Sequence, residues 1–170
     1  MASPLFRHLF TLAIALTLAL AGAAHALEPA QGKVILTISG KVGEKNTATA
    51  AQFDLAMLEK LPQRNFSTMT PWDSKPVKFT GPLLRDVLAL VKAQGRTLKA
   101  LALNDYQTSI PFDDATQYDV ILAHRMNGEP IPVKTKGPLF IVYPYDSKKE
   151  LQSAVFYERS AWQLKSLTIE

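Results

Sequence analysis

The stretch Asn127–Asp146, NGEPIPVKTKGPLFIVYPYD, decides how this chain is read. It opens on Asn-Gly, a strong short-range turn signal. A polar segment marked by Pro130 and Pro132 follows, and then Leu139–Tyr143, an apolar run fit for a buried strand. The run stops at Pro144, which has no N–H to give to a ladder. Tyr143 and Tyr145 flank that proline, and Asp146 lies beside them. Such a crowd of hydrogen-bonding groups beyond a buried strand fits two readings. One is an ordinary turn, and the other is the wall of a binding pocket.

The elements on either side set the fold class. Val120–Met126 reads as a strand before the Asn127-Gly128 turn. Lys33–Ser39 alternates, with Val34, Leu36 and Ile38 on one side, and reads as another. Asp54 is placed to cap a short helix, with Phe53 and Leu58 spaced as a hydrophobic staple. That helix directs Leu55, Leu58 and Leu61 inward and ends at Pro62. Phe66–Thr70 and Val77–Phe79 are predicted strands. Pro82 opens the clearest helix, where its missing N–H would have no partner anyway. Leu83, Leu84, Val87, Leu88 and Val91 form its apolar stripe, and Gly95 is placed to end it. Leu98–Leu103 and Tyr106–Ile110 are predicted strands around Asn104-Asp105. Asp113–Gln117 reads as a helical turn, and Ala154–Tyr157 and Trp162–Ile169 as final strands. Strands outnumber helices, and no strand–helix–strand rhythm repeats. The pattern predicts an α+β domain, not a doubly wound sheet.

The 170 residues divide in two. Residues 1–26 read as a secretory signal peptide, and residues 27–170 as one domain. Arg7 and His8 give a basic start, Leu9–Ala21 an apolar run, and Ala24-His25-Ala26 a small-x-small cleavage site. The run is shorter than the roughly 18 residues of a spanning helix, which disfavours the alternative of an uncleaved anchor. The expected location is the periplasm. Net charge is +4 at pH 7, dispersed, with no Lys/Arg run. Nucleic acid would call for a clustered basic face, so none is expected as a partner. The chain has no cysteine. That removes disulfides, thiolate catalysis, iron–sulfur clusters and thiolate metal ligation.

Other chemistry is thinly supported. Outside the leader the only histidine is His124, within a predicted strand, and a metal site needs several convergent ligands. Asp113-Asp114 lacks calcium-loop spacing. There is no G-x-S-x-G elbow and no phosphate-cradling glycine loop. No metal is expected. What remains is a set of aromatic and polar side chains near element ends: Trp72, Tyr106, Arg125, Tyr143, Tyr145, Asp146, Arg159, Ser160 and Trp162. A planar heterocycle needs such equipment. Rings cover its faces, a carboxylate pairs with its edge, and arginine reaches an attached phosphate or carboxylate. Each residue also has a plain structural reading. Trp162 and Tyr143 can be core, and Arg159 can be a surface charge.

Four segments follow one another in a familiar order: FTGPLLRDVL, LNDYQTSIPFDDA, DVILAHRMNGEPIPVKTKGPLFIVYP and ERSAWQLKSLTI. In them the chain resembles the sulfite-oxidase-fold, molybdopterin-binding domain family, over Phe79–Ile169 and more weakly Val34–Pro62. The resemblance implies a mixed, barrel-like β architecture with a few short helices. Enzymes of that family hold molybdenum through a cysteine thiolate. In that region this chain has Phe66–Trp72, FSTMTPW, and soft thiolate ligation has no substitute there. Phe140 occupies the position where the family often has an arginine. Arg159-Ser160 resembles the Lys-Ser pair used near the pterin phosphate. The resemblance therefore implies a binder of a pterin or molybdopterin-like heterocycle, with Tyr145 stacking on the ring and Asp146 pairing with its edge. It also resembles periplasmic pterin-binding regulators that act on membrane-anchored cyclic-di-GMP enzymes. A molybdopterin-dependent oxidoreductase and a ligand-free interaction domain are the alternatives.

Overall fold

The Asn127-Gly128 turn becomes a two-residue hairpin. Both residues take positive φ, 52° and 89°, which a tight hairpin of this kind requires. In the computed structural model, residues 27–170 are described. The expected signal peptide lies outside them. The strands are β1 (Leu36–Gly40), β2 (Ala51–Phe53), β3 (Gln63–Thr68), β4 (Val77–Pro82), β5 (Thr97–Ala102), β6 (Gln107–Pro111), β7 (Ile121–Ala123), β8 (Arg125–Met126), β9 (Glu129–Pro130), β10 (Phe140–Val142) and β11 (Leu164–Ile169). The helices are α1 (Leu55–Glu59), α2 (Leu84–Leu90), α3 (Asp114–Gln117) and α4 (Ala154–Arg159). Two short 3-10 turns, Tyr145–Ser147 and Lys149–Leu151, follow β10.

Three sheets carry the fold. The largest runs β2-β1-β11-β5-β6, the second β3-β4-β8-β9, and β10 pairs with β7 alone. Among the described residues only β1 and β11 run parallel; every other strand pairing is antiparallel. This is an α+β fold of open sheets, and among the described residues no barrel closes. The expected mixed-sheet α+β architecture with a few short helices is present, its sheets staying open. The core lies between the sheets and includes Phe53, Phe79, Phe140, Tyr143 and Tyr145, all fully buried.

Several local expectations hold for the reasons given. Asp54 caps α1 by accepting from the Met57 amide at 2.9 Å. Its other oxygen accepts from Gly32 at 2.7 Å and Gln31 at 2.9 Å. These amides, Gly32 foremost, hold the carboxyl below its ordinary range. Phe53 and Leu58 are both fully buried, as a staple requires.

Others are corrected. Ala154–Tyr157 belongs to helix α4, because an apolar run this short does not separate a strand from a helix. Val120–Met126 breaks at His124. There the amide donates to Thr80 O at 3.0 Å and the carbonyl accepts from Ile131 at 3.0 Å, so the chain leaves β10 and joins β4. Pro82 ends β4 instead of opening α2. Lys92, not Gly95, takes the left-handed conformation after α2, at φ 48°. Leu55 and Val34 point outward, 37% and 38% exposed. Gly81 is needed for close approach, since a Cβ there would lie 2.0 Å from the Leu122 carbonyl.

Candidate functional site

The loop after β3 is where the resemblance would place a cysteine, and the chain has none. It is built from hydroxyl chemistry. Thr70 Oγ1 donates to Asp73 at 2.7 Å and accepts from the Trp72 amide at 3.2 Å. Asp73 also receives Lys136 Nζ at 2.9 Å, and that ammonium sits 5.6 Å from the centre of the Trp72 ring. The hydrogen bonds to Thr70 and Lys136 outweigh burial and keep the Asp73 carboxyl below its ordinary range, although burial is the largest single influence and acts the other way. Asp146 locks the loop from the far side: its carboxylate accepts from the Met69 amide at 2.7 Å, and its own amide donates to Thr68 Oγ1 at 3.0 Å.

Trp72 thereby forms one wall of a cleft of about 370 Å³. Its ring packs edge-on against Trp162 at 5.1 Å and Tyr157 at 6.0 Å. The remaining lining comes from Pro71, Asn104, Tyr106, Ala154, Glu158 and Ser160. The surface is mostly apolar and aromatic with a few polar groups, the usual make-up of a small-molecule site. Tyr106, 42% exposed, is fixed by its hydroxyl, which donates to the Glu158 carbonyl at 2.7 Å.

Of the residues singled out from sequence, Trp72, Tyr106, Ser160 and Trp162 meet in this cleft. The other five do not line it. Tyr143 is fully buried and donates to Asp114 at 2.7 Å, and burial above all drives its hydroxyl far above the ordinary tyrosine range. Tyr145 is likewise fully buried and donates to Ser160 Oγ at 2.6 Å, so it cannot stack on a ligand. Asp146 is spent on the Met69 amide. Arg159 pairs with Asp114 at 3.0 Å and lies over the Phe156 ring. Arg125 pairs with Glu59 at 3.2 Å on the β4–β8 side. Each was placed by its nearness to a loop in sequence. In each case the side chain takes a partner within the fold instead.

Sequence reasoning missed Tyr157, Glu158 and Asn104. Reading residues 154–159 as a helix would have found the first two. Ala154, Tyr157 and Glu158 are spaced i, i+3, i+4 and share one helical face, which is the face that lines the cleft. Asn104 stands at the β5–β6 turn, where its side chain accepts from the Tyr106 amide at 3.2 Å.

Residues 25–148 match the family described as the oxidoreductase molybdopterin binding domain. The match covers more than half of the chain, and the chain belongs to that family. It ends before Arg159-Ser160. No curated protein matches the chain.

The residues present do not fit a complete molybdenum cofactor. With no cysteine in the chain, the loop offers Thr68, Met69 and Thr70 where a thiolate would be needed. Both hydroxyls are already engaged. Among the described residues no three His, Cys, Asp or Glu side chains group to hold a metal ion. No lysine or arginine lines the cleft to receive a phosphate.

Proposed function

We propose that this protein is a non-catalytic binding module for a pterin-type heterocycle. The observation that carries it is the aromatic cleft of Trp72, Tyr106, Tyr157 and Trp162 in a molybdopterin-binding family member without cysteine. Edge-on and offset aromatic contacts of this kind are worth about 0.5–1.5 kcal/mol per pair beyond area burial, and several such rings favour a planar ligand. The polar groups at the cleft supply orientation.

The reading extends to location and role by resemblance alone. The module acts in the periplasm after export. It reports ligand occupancy to the periplasmic part of a membrane-anchored signalling partner, such as a cyclic-di-GMP enzyme. An organic ring held without a metal suits a sensor, because binding and release leave the ligand chemically unchanged.

Titration calorimetry with a tetrahydropterin tests the reading. Saturable binding that weakens at least about tenfold in Trp72→Ala is expected, since one truncated aromatic anchor costs about 1.4 kcal/mol or more. No heat at millimolar ligand sinks it. Elemental analysis of protein from cells that make molybdenum cofactor is the companion measurement. Stoichiometric molybdenum would instead support the oxidoreductase reading that the family match favours.

A further inference from the structure

Charge is distributed unevenly around the cleft. Of the residues that line it, Glu158 alone carries a formal charge. Among the described residues no ion pair or side-chain hydrogen bond engages its carboxylate. Its backbone, by contrast, is fixed by the Tyr106 hydroxyl at 2.7 Å. The neighbouring cations are already paired. Arg159, next in sequence, lies 3.0 Å from Asp114, and Lys136, above Trp72, lies 2.9 Å from Asp73. Ser160 is likewise committed, receiving Tyr145 at 2.6 Å and donating to the Phe156 carbonyl at 2.7 Å.

We propose that the cleft selects an unphosphorylated planar heterocycle whose edge presents adjacent N–H donors, and that Glu158 reads this edge. The proposal rests on the pterin reading above and narrows it. A carboxylate is acceptor-only and takes two parallel N–H bonds, so it matches an amino group beside a protonated ring nitrogen. The aminopyrimidinone edge of a pterin is such a pair. A phosphate finds no unpaired cation at the cleft and is repelled by the same carboxylate. This departs from the phosphorylated ligand that the family's name implies.

The chain has two tryptophans, Trp72 and Trp162, and both line the cleft. Quenching of intrinsic fluorescence therefore reports occupancy at this site. The experiment titrates the protein with neopterin and with neopterin monophosphate, each confirmed by calorimetry, and repeats both with Glu158→Gln. Glu158 is exposed, so the variant is expected to fold. Neopterin should bind at least about tenfold more tightly than its phosphate ester at low salt. Glu158→Gln should weaken neopterin about tenfold and narrow the gap between the two, as loss of a charge-assisted pair requires. If the ester binds as tightly as neopterin, or if Glu158→Gln leaves neopterin affinity unchanged, this proposal falls and the pterin reading stands. If neither compound binds while a tetrahydropterin does, this proposal falls and the pterin reading stands; if none of the three binds, both fall.

Discussion

Asp114 holds a buried polar centre that reaches α4 through Arg159. One of its oxygens accepts from Tyr143 at 2.7 Å and from Arg159 at 3.0 Å, with the carboxylate side chain only 7% exposed. Removing it leaves a guanidinium and a buried phenol without a partner. Asp114→Ala is therefore expected to cost about 3 kcal/mol, read as a lower urea midpoint with unchanged slope. A loss below about 1 kcal/mol would show that water replaces the carboxylate. His124 makes the second prediction at this scale. Its Nε2 pairs with Gln63 at 2.9 Å, and Glu59 stands 3.8 Å from Nδ1. Burial, the dominant influence, holds the imidazole below its ordinary value; Glu59 opposes this and Arg125 adds to it. A folded value below the unfolded one means that the unfolded chain takes the proton first. His124 thus contributes stability that is fully present above about pH 6.5 and is lost as pH falls below it and through the folded value. Urea midpoints between about pH 7.5 and 5 should fall for the natural protein and fall less for His124→Gln. Parallel slopes would assign the acid sensitivity to other groups. None of these pairings was legible in the sequence. Asp114 and Arg159 are 45 positions apart, and a one-letter string does not record which charge finds which partner.

Helix α4 is the element on which the cleft depends, and it is lightly held. None of its six residues is fully buried, and Val155 is 51% exposed. Its outer anchor is the bond from Tyr106 on the β5–β6 hairpin to the Glu158 carbonyl. Tyr106→Phe keeps the ring and deletes that bond, worth about 0.5–1.5 kcal/mol. Amide hydrogen exchange over residues 154–160 should accelerate about 2- to 10-fold, with β1 and β11 unchanged. Unchanged exchange in that segment would mean that packing of Phe156 and Tyr157 suffices to hold the helix. The same element shows where sequence reading stops. Asp54 and the Asn127-Gly128 hairpin were legible because a cap and a two-residue turn are fixed by local sterics and hydrogen bonds. The run AVFY in α4 was not, because its apolar residues suit either period and the deciding contacts come from Trp72 and Tyr145, far away in sequence. The cleft was half legible for the same reason. Trp72, Tyr106 and Trp162 stand out by chemistry, while Tyr157 and Glu158 come together only on a helical face, where the sequence predicts a strand over Ala154–Tyr157.

At the scale of the whole molecule, the cleft joins segments that the chain supplies separately. Trp72 comes from the loop between β3 and β4, Tyr106 from the β5–β6 hairpin, Tyr157 from α4 and Trp162 from the approach to β11. β3 and β4 belong to one sheet and β5, β6 and β11 to another. A ligand lodged among them makes contacts only when both sheets are in place. Such a ligand binds the folded state and not the unfolded one, so mass action must stabilise the entire domain. At about 100 times its dissociation constant the gain is about 2.7 kcal/mol, which for a chain of this length raises the melting temperature by roughly 5–10 °C. A tetrahydropterin should produce that shift in a thermal scan at saturating concentration. Trp72→Ala combined with Trp162→Ala should abolish it, since the variant removes two lining rings that pack edge-on on each other at 5.1 Å. A shift that survived the double substitution would place the ligand outside this cleft, and it would separate the aromatic pair from any role in coupling the two sheets.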